Sequence, residues 1–407
     1  MTTTITNEHK KLNVPNLRFK EFQGEWEEER LADIADLYKG TGISKDQLSD
    51  DGEPCILYGE LYTKYKSETI REVISKTNID NTKLARSKAN DVIIPCSGET
   101  AEDIATARCV LNGNILLGGD LNIIRLHGYD GTFMSYQLNG KRKYDIAKVA
   151  QGVSVVHLYG EHLKGVKTIN PCLTEQKKIA SLLTLLDERI ATQNKIIEDL
   201  KKLKSAISKH LFSRKDLLET TIRLADIAAL KNGYAFQSSK YDTKGKWKIL
   251  TIANVSGERY INDDDCNCII NLPNDIQGHQ VLKEGDILIS LTGNVGRVSL
   301  CKAGNILLNQ RVGLLCITKN VNQEFLYQVL SSRRFENSMV ACGQGAAQMN
   351  IGKGDVENFV LPYSSNANNI HLVARILHSY DECIINEQQE LTLLTIQKQY
   401  LLDQMFI

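Results

Sequence analysis

Two short segments in this chain combine a lysine with glycine and polar neighbours. They are Lys39-Gly40-Thr41-Gly42 and Lys231-Asn232-Gly233-Tyr234. Glycine has no side chain, so it lets a ligand approach the main chain closely, and the lysine adds positive charge. The pattern indicates two binding segments of similar design.

Basic and amide side chains form a second set of candidates. Lys141-Arg142-Lys143 and Arg333-Arg334 lie near the start of predicted helices, where they could meet phosphates. Arg297 and Asn309-Gln310-Arg311 supply guanidinium and amide groups, which can form paired hydrogen bonds with base edges in the major groove. The residue types therefore favour binding to a nucleic acid.

Complete catalytic motifs are missing from the sequence. We find no Gly-x4-Gly-Lys-Ser/Thr phosphate loop, no Gly-x-Ser-x-Gly nucleophile motif, no His-Glu-x-x-His metal motif, and no Pro-Pro or Pro-Asp dipeptide. The segment 182–188, Leu-Leu-Thr-Leu-Leu-Asp-Glu, resembles the acidic strand of an ATPase, but it falls on a helical pattern and is predicted to be helix surface. We expect a chain that is not an enzyme and binds no metal or cofactor of its own.

Composition limits the surroundings and partners of the chain. Its 407 residues include 49 Lys plus Arg and 49 Asp plus Glu, so any surface for nucleic acid must be a local patch or be completed by a partner. Ten cysteines without a Cys-x-x-Cys pair predict reduced thiols. No apolar run reaches the ~18 residues of a membrane span, and the first residues are polar, so we expect a cytoplasmic protein.

The sequence contains an internal repeat that places these candidates in two equivalent blocks. Residues 30–37 read RLADIADL and residues 223–230 read RLADIAAL, which is seven identities in eight positions at an offset of 193. Gly113–Leu117 returns as Gly304–Leu308, and Gln151-Gly152 returns as Gln344-Gly345. The chain is therefore predicted to be two copies of one unit with small loop insertions.

Each copy ends in a long heptad helix. Polar residues interrupt both stripes at matching places, with Lys204 in the first and Lys398 in the second. Residues 175–215 carry a net charge of +5 and residues 365–407 carry −3, so the two helices are expected to pair with each other, antiparallel, with a globular block at each end. Thr174 and Asn368 are the predicted N-caps. The predicted seam consists of Ile179, Leu183, Leu186, Ile190, Ile197, Leu200, Ile207 and Leu211 with Val373, Leu377, Tyr380, Ile384, Leu391, Leu394, Leu401 and Met405.

Between the helices the pattern predicts mixed α/β blocks with short strands. Residues 91–98 and 286–293 are matching strand-then-turn segments, and residues 314–318 read as a further strand. Short helices are predicted over residues 136–147 and 325–340. The predicted fold class is α+β, with two pseudo-symmetric mixed α/β domains separated by two long antiparallel coiled-coil helices.

This ordered set of features resembles one known family, the specificity subunits (HsdS) of Type I restriction-modification systems. Similar chains alternate a target-recognition domain and a conserved helix, twice. On this resemblance the predicted domains are a first target-recognition domain over 1–170, a first helix over 171–215, a second recognition domain over 216–364 and a second helix over 365–407. The segments that carry the resemblance are residues 26–40, 55–65, 285–296 and 309–310, the two Gln-Gly turns, and residues 170–180.

The resemblance implies a non-catalytic chain that recognises a bipartite, asymmetric site on double-stranded DNA. It further implies two methyltransferase subunits (HsdM) that use S-adenosylmethionine, and restriction subunits (HsdR) that use ATP and Mg²⁺ for translocation and cleavage. Those cofactors would belong to the partners and not to this chain. Apolar residues beside the seam, which one partner helix would leave uncovered, agree with such an assembly: Leu182, Leu185, Leu203, Ile376 and Leu393.

Differences between the two copies indicate where DNA specificity lies. Segments that agree build the common frame, so the divergent stretches 41–88 and 234–283 and the turns after Ser97 and Thr292 are predicted to contact bases. Together with the basic groups, the predicted DNA-binding residues of the first copy are Lys39, Thr41, Tyr58, Glu60, Tyr62, Lys64, Ser97, Thr100, Lys141, Arg142, Lys143 and Gln151. Those of the second copy are Lys231, Asn232, Tyr234, Phe236, Gln237, Asn254, Thr292, Asn294, Arg297, Gln310, Arg311, Arg333, Arg334 and Gln344.

Two other functions fit parts of the pattern. A coiled-coil adaptor that binds only proteins would share the helices, and a degenerate nuclease or ATPase would share the acidic segment. The adaptor predicts no sequence-specific DNA binding by the assembled complex, whereas the enzyme predicts turnover by the chain alone. A gel shift in the presence of the methyltransferase subunit separates the adaptor from the specificity subunit.

Overall fold

The chain forms two compact units in its computed structural model. Unit 1 contains the described residues up to Asn194 together with Glu390–Ile407, and unit 2 contains Lys195–Gln389. Both long helices contribute one segment to each unit. The structure describes residues 13–80, 83–152, 155–343 and 349–407.

The described residues of unit 1 form a five-stranded sheet, a four-stranded sheet, two two-stranded ribbons and several short helices. Its strands are β1 (Glu27–Arg30), β2 (Ala35–Lys39), β3 (Leu48–Ser49), β4 (Glu53–Ile56), β5 (Thr69–Ile70), β6 (Ser75–Thr77), β7 (Asp91–Pro95), β8 (Ser97–Gly98), β9 (Arg108–Val110), β10 (Leu116–Leu117), β11 (Leu121–Leu126), β12 (Val156–His157) and β13 (Lys167–Asn170). Its helices are α1 (Leu31–Ile34), α2 (Glu60–Thr63), α3 (Ala101–Ile104), α4 (Gly131–Asn139), α5 (Lys143–Val149) and α6 (Gly160–Leu163), followed by α7 (Leu173–Ser213). The sheet orders are β2-β11-β7-β9-β5 and β10-β4-β6-β3, and the ribbons are β1/β13 and β8/β12.

Unit 2 repeats this arrangement with fewer strands in the described residues. Its strands are β14 (Thr220–Arg223), β15 (Ala228–Asn232), β16 (Trp247–Leu250), β17 (Asn267–Ile269), β18 (Ile287–Ser290), β19 (Val298–Leu300), β20 (Ile306–Leu308), β21 (Val312–Ile317) and β22 (Val360–Tyr363). Its helices are α8 (Gln323–Leu330), α9 (Arg333–Cys342) and α10 (Lys353–Glu357), followed by α11 (Ala367–Met405). The sheet orders are β15-β21-β18-β19 and β17-β16-β20.

The two units share one frame, which confirms the predicted fold class and repeat. The order β2-β11-β7-β9 and its antiparallel pairing return as β15-β21-β18-β19. The parallel pair β4/β10 returns as β16/β20, and the ribbon β1/β13 returns as β14/β22. The central strands β7 and β18 are buried along their whole length because their successive side chains enter apolar clusters on the two faces of the sheet.

Two boundaries differ from the prediction. Each predicted short helix is a pair of helices, because the first ends at Asn139 in unit 1 and at Leu330 in unit 2. The long helices begin at Leu173 and Ala367, so Thr174 and Asn368 lie inside them and are not N-caps. In α11 the Asn366 side chain accepts a hydrogen bond from the main-chain N–H of Asn368, and it therefore performs the capping role.

The long helices run antiparallel within each unit. In unit 1, Asp187 of α7 pairs with Lys398 of α11, and Ile179 shares an apolar cluster with Met405. In unit 2, Lys204 of α7 pairs with Asp381 of α11, and Leu211 shares a core with Leu377. As the residue number rises along one helix it falls along the other.

Candidate nucleic-acid interface

One end of the large sheet in unit 1 gathers several predicted contact residues. Strand β2 ends there at Lys39, and β7 leads into the short strand β8, which begins at Ser97. Tyr62 donates a hydrogen bond to the carbonyl oxygen of Ser97 at 3.0 Å, and the Ser97 hydroxyl lies 3.3 Å from Nδ1 of His157. Burial raises the pKa of Tyr62, so its phenol remains a donor at neutral pH. We name Lys39, Tyr58, Tyr62, Ser97, Gln151 and His157 the strand-end surface of unit 1.

The equivalent end of unit 2 gathers a different set. The hydroxyl of Thr292 lies 3.1 Å from Oδ1 of Asn350, and the N–H of Leu291 donates to the carbonyl oxygen of Arg311 at 3.1 Å. Tyr234 donates to Asp275 at 2.8 Å and packs beside Phe236 with ring centroids 4.8 Å apart. We name Asn232, Tyr234, Thr292, Gln310, Arg311 and Asn350 the strand-end surface of unit 2.

Glycines at both surfaces pack against the chain's own main chain. A Cβ on Gly40 would lie 2.0 Å from the carbonyl oxygen of Gly118, and a Cβ on Gly233 would lie 2.2 Å from that of Asn309. These equivalent glycines are therefore required by the fold, in contrast to the ligand approach expected from the sequence. Thr41 is likewise occupied, because its hydroxyl accepts a hydrogen bond from the N–H of Ala85.

Three predicted contact residues have structural hydrogen bonds. Glu60 accepts from the main-chain N–H of Leu57 at 3.0 Å, and Asn254 accepts from that of Thr251 at 2.8 Å, so the two occupy the same capping position in the two units. Both side chains are buried. Lys64 pairs with Glu60 at 2.7 Å. These positions differ from the base-contacting role predicted for them.

Arg297 lies away from the tip of the turn that precedes it. Its Nε is 3.8 Å from a carboxylate oxygen of Glu336, in a cavity of about 250 Å³ that is also lined by Ser256, Gly257 and Ser331. Asn294, in contrast, is exposed in the turn itself. The turn therefore presents an amide outward and holds the guanidinium against α9.

The basic groups separate into exposed and anchored side chains. Lys141, Lys143 and Arg333 are exposed, as expected for phosphate contacts. Arg142 donates to the main-chain carbonyl oxygen of Ile407 at 2.7 Å and pairs with Asp145, so it fixes the end of α11. Arg334 also belongs to the fold, since it donates to the carbonyl oxygen of Val360 at 3.3 Å.

The remaining predicted residues have varied surroundings. Thr100 caps α3 by accepting from the N–H of Asp103, and Phe236 packs against an apolar cluster of unit 2. Lys231 and Gln237 are exposed. Gln344 lies outside the described residues. The geometry thus concentrates the accessible polar groups at the strand-end surfaces and the starts of α5 and α9.

A buried ionic network, which the sequence analysis missed, joins the helices to the sheet of unit 1. Asp187 accepts hydrogen bonds from Tyr136 at 2.6 Å and Lys398 at 2.7 Å, and Lys398 also binds Glu68 at 2.9 Å. Asp187 was predicted to be helix surface; that prediction is wrong, because its side chain is 9% exposed. Burial raises the pKa of Glu68 in spite of Lys398, and Lys398 keeps a raised pKa because the two carboxylates outweigh the effect of its own burial.

Unit 2 has the same lysine–aspartate pair and an arginine where unit 1 has a glutamate. Lys204 pairs with Asp381 beside Tyr327, as Lys398 pairs with Asp187 beside Tyr136. Arg259 binds Asp381 at 3.0 Å and Glu324 at 2.6 Å. Thr69 pairs with Cys109 of β9, and Tyr260 pairs with Leu300 at the equivalent position of β19. Arg259, which precedes Tyr260, therefore occupies the position that Glu68 has in unit 1. The lysines that interrupt the two heptad stripes at matching places, Lys204 and Lys398, were the available sequence signal.

All sixteen predicted seam residues are buried or half-buried. Apolar side chains next to the seam differ in exposure. In unit 1, Leu185 and Leu393 are 65% and 62% exposed, and in unit 2 Leu203 is 47% exposed. Leu182 and Ile376 are half-buried.

Comparison with known proteins places this geometry in a family. The family described as "Type I restriction modification DNA specificity domain" matches residues 23–202 and again residues 219–395. The chain belongs to this family. The two matches coincide with the two copies of the repeat, and the chain is accordingly a specificity subunit, a non-catalytic DNA-recognition protein.

Relatives and solved structures agree. The Type I restriction enzyme MjaVIII specificity subunit of Methanocaldococcus jannaschii is 26% identical over 375 residues, which is 84% of each chain. The putative Type I restriction enzyme MjaX specificity subunit of the same organism is 23% identical over 399 residues, 87% of this chain and 86% of that one. A crystal structure of a Type-I restriction-modification S subunit from M. genitalium has a TM-score of 0.62 at 18% identity, over 97% of this chain and 99% of the other.

A second structural neighbour comes from a study of complex assembly and conformational transition of the type I restriction-modification system. It has a TM-score of 0.55 at 15% identity and covers 94% of this chain and 97% of its own. Within the described residues, no helix is both long and apolar enough to cross a membrane, and no group of three or more acidic, histidine or cysteine side chains is placed to hold a metal ion.

Proposed function

We propose that this specificity subunit recognises a bipartite, asymmetric site on double-stranded DNA, with one half-site read by each unit. The observation that carries the proposal is the pair of strand-end surfaces, which have the same main-chain frame and different side chains. Ser97 and His157 occupy the places that Thr292 and Asn350 occupy in unit 2. Two surfaces with the same main-chain frame and different polar side chains suit two half-sites of different sequence.

Phosphate contacts would add affinity without sequence preference. Lys141 and Lys143 at the start of α5, and Arg333 at the start of α9, are exposed and occupy comparable places in the two units. Each phosphate neutralised by such a side chain releases a counterion and makes binding dependent on salt. The overall charge of the chain is zero, so most of the DNA affinity is expected to come from the assembled complex.

The partners in the proposal are two methyltransferase subunits (HsdM), with restriction subunits (HsdR) in the complete enzyme. Exposed apolar residues on the long helices support docking of partner subunits. On the unit 1 segment of α11, Leu393, Ile396 and Tyr400 are each at least 58% exposed and follow one helical face. S-adenosylmethionine, ATP and Mg²⁺ would be bound by the partners.

Co-expression with the methyltransferase subunit tests the proposal. We expect a complex that shifts a DNA duplex carrying its site and does not shift an equal duplex with either half-site scrambled. Sequencing of methylated adenines in the same cells should give a two-part motif with a fixed gap. A complex that forms but binds all duplexes equally would contradict the proposal and would favour a protein-only adaptor.

A further inference from the structure

One pair of facing residues has the same main-chain setting in both units. In unit 1 the N–H of Leu158 donates to the carbonyl oxygen of Cys96 at 2.9 Å, which brings His157 opposite Ser97. In unit 2 the N–H of Ile351 donates to the carbonyl oxygen of Leu291 at 2.9 Å, which brings Asn350 opposite Thr292. The central strands β7 and β18 lead into these two positions.

The side chains at this place form a hydrogen-bonded pair in each unit, but of different chemistry. The Ser97 hydroxyl is 3.3 Å from Nδ1 of His157, and the Thr292 hydroxyl is 3.1 Å from Oδ1 of Asn350. The imidazole also stacks on Tyr159 at 6.0 Å between ring centroids, with the planes 17° apart. Two side chains are thus held in fixed orientations at the strand ends.

Each pair leaves one hydrogen-bonding group toward solvent. Nε2 of His157 and Nδ2 of Asn350 have no hydrogen-bond partner within the part of the chain that the structure describes. His157 is half-buried and Asn350 is exposed. Main-chain hydrogen bonds already hold both strand ends, so the frame does not require these side-chain pairs.

We propose that His157 and Asn350 are specificity-determining residues that contact one base each, and that Ser97 and Thr292 orient them. This inference rests on the proposed function. Nδ2 of Asn350 can donate to N7 of adenine, and Oδ1, which already accepts from Thr292, has a second lone pair that can accept from N6, so Asn350 is assigned an adenine. When Ser97 donates to Nδ1, Nε2 of His157 carries hydrogen and can donate to N7 of a purine.

Asn350→Ala and His157→Ala test the contacts in the full complex with the methyltransferase subunit. Methylated adenines are sequenced in cells, and the motif of each variant is compared with that of the wild type. Asn350→Ala should lower the preference for one adenine of the second unit's half-site by about 5- to 150-fold, the range of a lost base contact. His157→Ala should relax one purine position in the other half-site and leave the first variant's position unchanged.

Matched controls lie at the opposite ends of the same sheets. Asn320 is an exposed asparagine beyond the end of β21, and His127 is an exposed histidine beyond the end of β11. Asn320→Ala and His127→Ala should keep the wild-type motif. Relaxation of the same base positions by these controls would overturn the assignment.

Three further variants keep the test decisive if the alanine variants are unstable. Asn350→Asp keeps the size of the side chain, removes the donor, and should exchange the adenine for a cytosine, whose N4 amino group donates to carboxylates. Thr292→Val removes the orienting hydroxyl and should broaden the position assigned to Asn350, whereas Thr292→Ser should preserve it. Stable variants that all methylate the wild-type motif would refute the inference. Absence of a bipartite motif in the wild type would instead refute the proposed function.

Discussion

The buried networks of the two units agree at the helices and differ at the sheet. Lys398 with Asp187 and Lys204 with Asp381 are the same lysine–aspartate pair, each formed between the two long helices beside a tyrosine. The sheet contributes Glu68 to one network and Arg259 to the other. The lysine–aspartate pairing of the helices is therefore common to both units, whereas the sheets contribute side chains of opposite charge to the two networks.

The largest effect is expected from inverting the sheet charge of unit 2. Arg259→Glu would place a third carboxylate beside Asp381 and Glu324, whose present partner is the guanidinium. Because a buried charge without a partner is strongly destabilising, the free energy of unfolding should fall by about 3–5 kcal/mol, measured by urea denaturation. Arg214→Glu is the matched control, since Arg214 pairs with Asp216 at the surface and should matter little. Equal losses from both variants would contradict the buried network.

The next effect separates the two equivalent lysines. Lys398→Ala removes the salt bridges of Glu68 and Asp187 within the described residues and leaves only the longer-range charge of Arg108 nearby. Lys204→Ala, in contrast, leaves Asp381 bonded to Arg259 and Gln328. We expect Lys398→Ala to lower the free energy of unfolding by about 1–3 kcal/mol more than Lys204→Ala, as the difference between an unpaired and a paired buried carboxylate. Urea titrations of the two variants under one condition measure the difference, and a larger loss for Lys204→Ala would reverse the comparison.

Opposite pH dependence should distinguish Glu68 from Glu324. Burial raises the pKa of Glu68 above 4.5, so its contribution to stability is present below that pH and is lost as pH rises through the folded value. At Glu324 burial also raises the pKa, but hydrogen bonds from Arg259 and Gln328 outweigh it and the pKa is lowered, so its contribution is present above pH 4.5 and lost on acidification.

Gln variants measure these contributions. Relative to Glu68→Gln, the wild type should lose free energy of unfolding as pH is raised above 4.5. Relative to Glu324→Gln, it should lose free energy of unfolding as pH is lowered below 4.5. Denaturant titrations across the pH series give both differences in the free energy of unfolding. The same pH dependence for the Glu68→Gln and Glu324→Gln differences would contradict the opposite pKa shifts of the two carboxylates.

The smallest effects are expected at the phosphate contacts, where the units should behave alike. Lys141→Ala and Arg333→Ala should each weaken DNA binding of the complex about equally for all sequences and reduce the slope of log affinity against log salt by about one. Gel shifts at several salt concentrations measure both quantities. A change of base preference in either variant would place these residues among the base contacts.

The shared frame could be predicted from the sequence because both copies carry the same residues. The repeated RLADIA segment and the heptad stripes identified the units and the long helices, and all seam positions are at least half-buried. The boundaries of the long helices were harder to predict. Asn366 rather than Asn368 caps α11 through a local hydrogen bond, which hydrophobic periodicity does not encode.

The candidate site was only partly predictable. Ser97 and Thr292 were identified because divergent turns follow them, but His157 and Asn350 lie about 60 residues further along the chain and meet them only through strand pairing. Glu60 and Asn254 look like exposed polar groups in the sequence, and only the fold shows that they cap the main chain. The ionic network depends on contacts between distant segments, although the matching lysines of the two heptad stripes were a visible signal.

Exchange of one recognition block tests the central claim most directly. Residues 1–170 are replaced by the corresponding block of another family member, the hybrid is expressed with the methyltransferase subunit, and methylated adenines are sequenced. Because the exchanged block ends at residue 170, the experiment also tests the predicted boundary of the first target-recognition domain. We predict that one half of the methylated motif changes to that of the donor and that the other half is retained. A motif in which both halves change, or neither does, would contradict the assignment of one half-site to each unit.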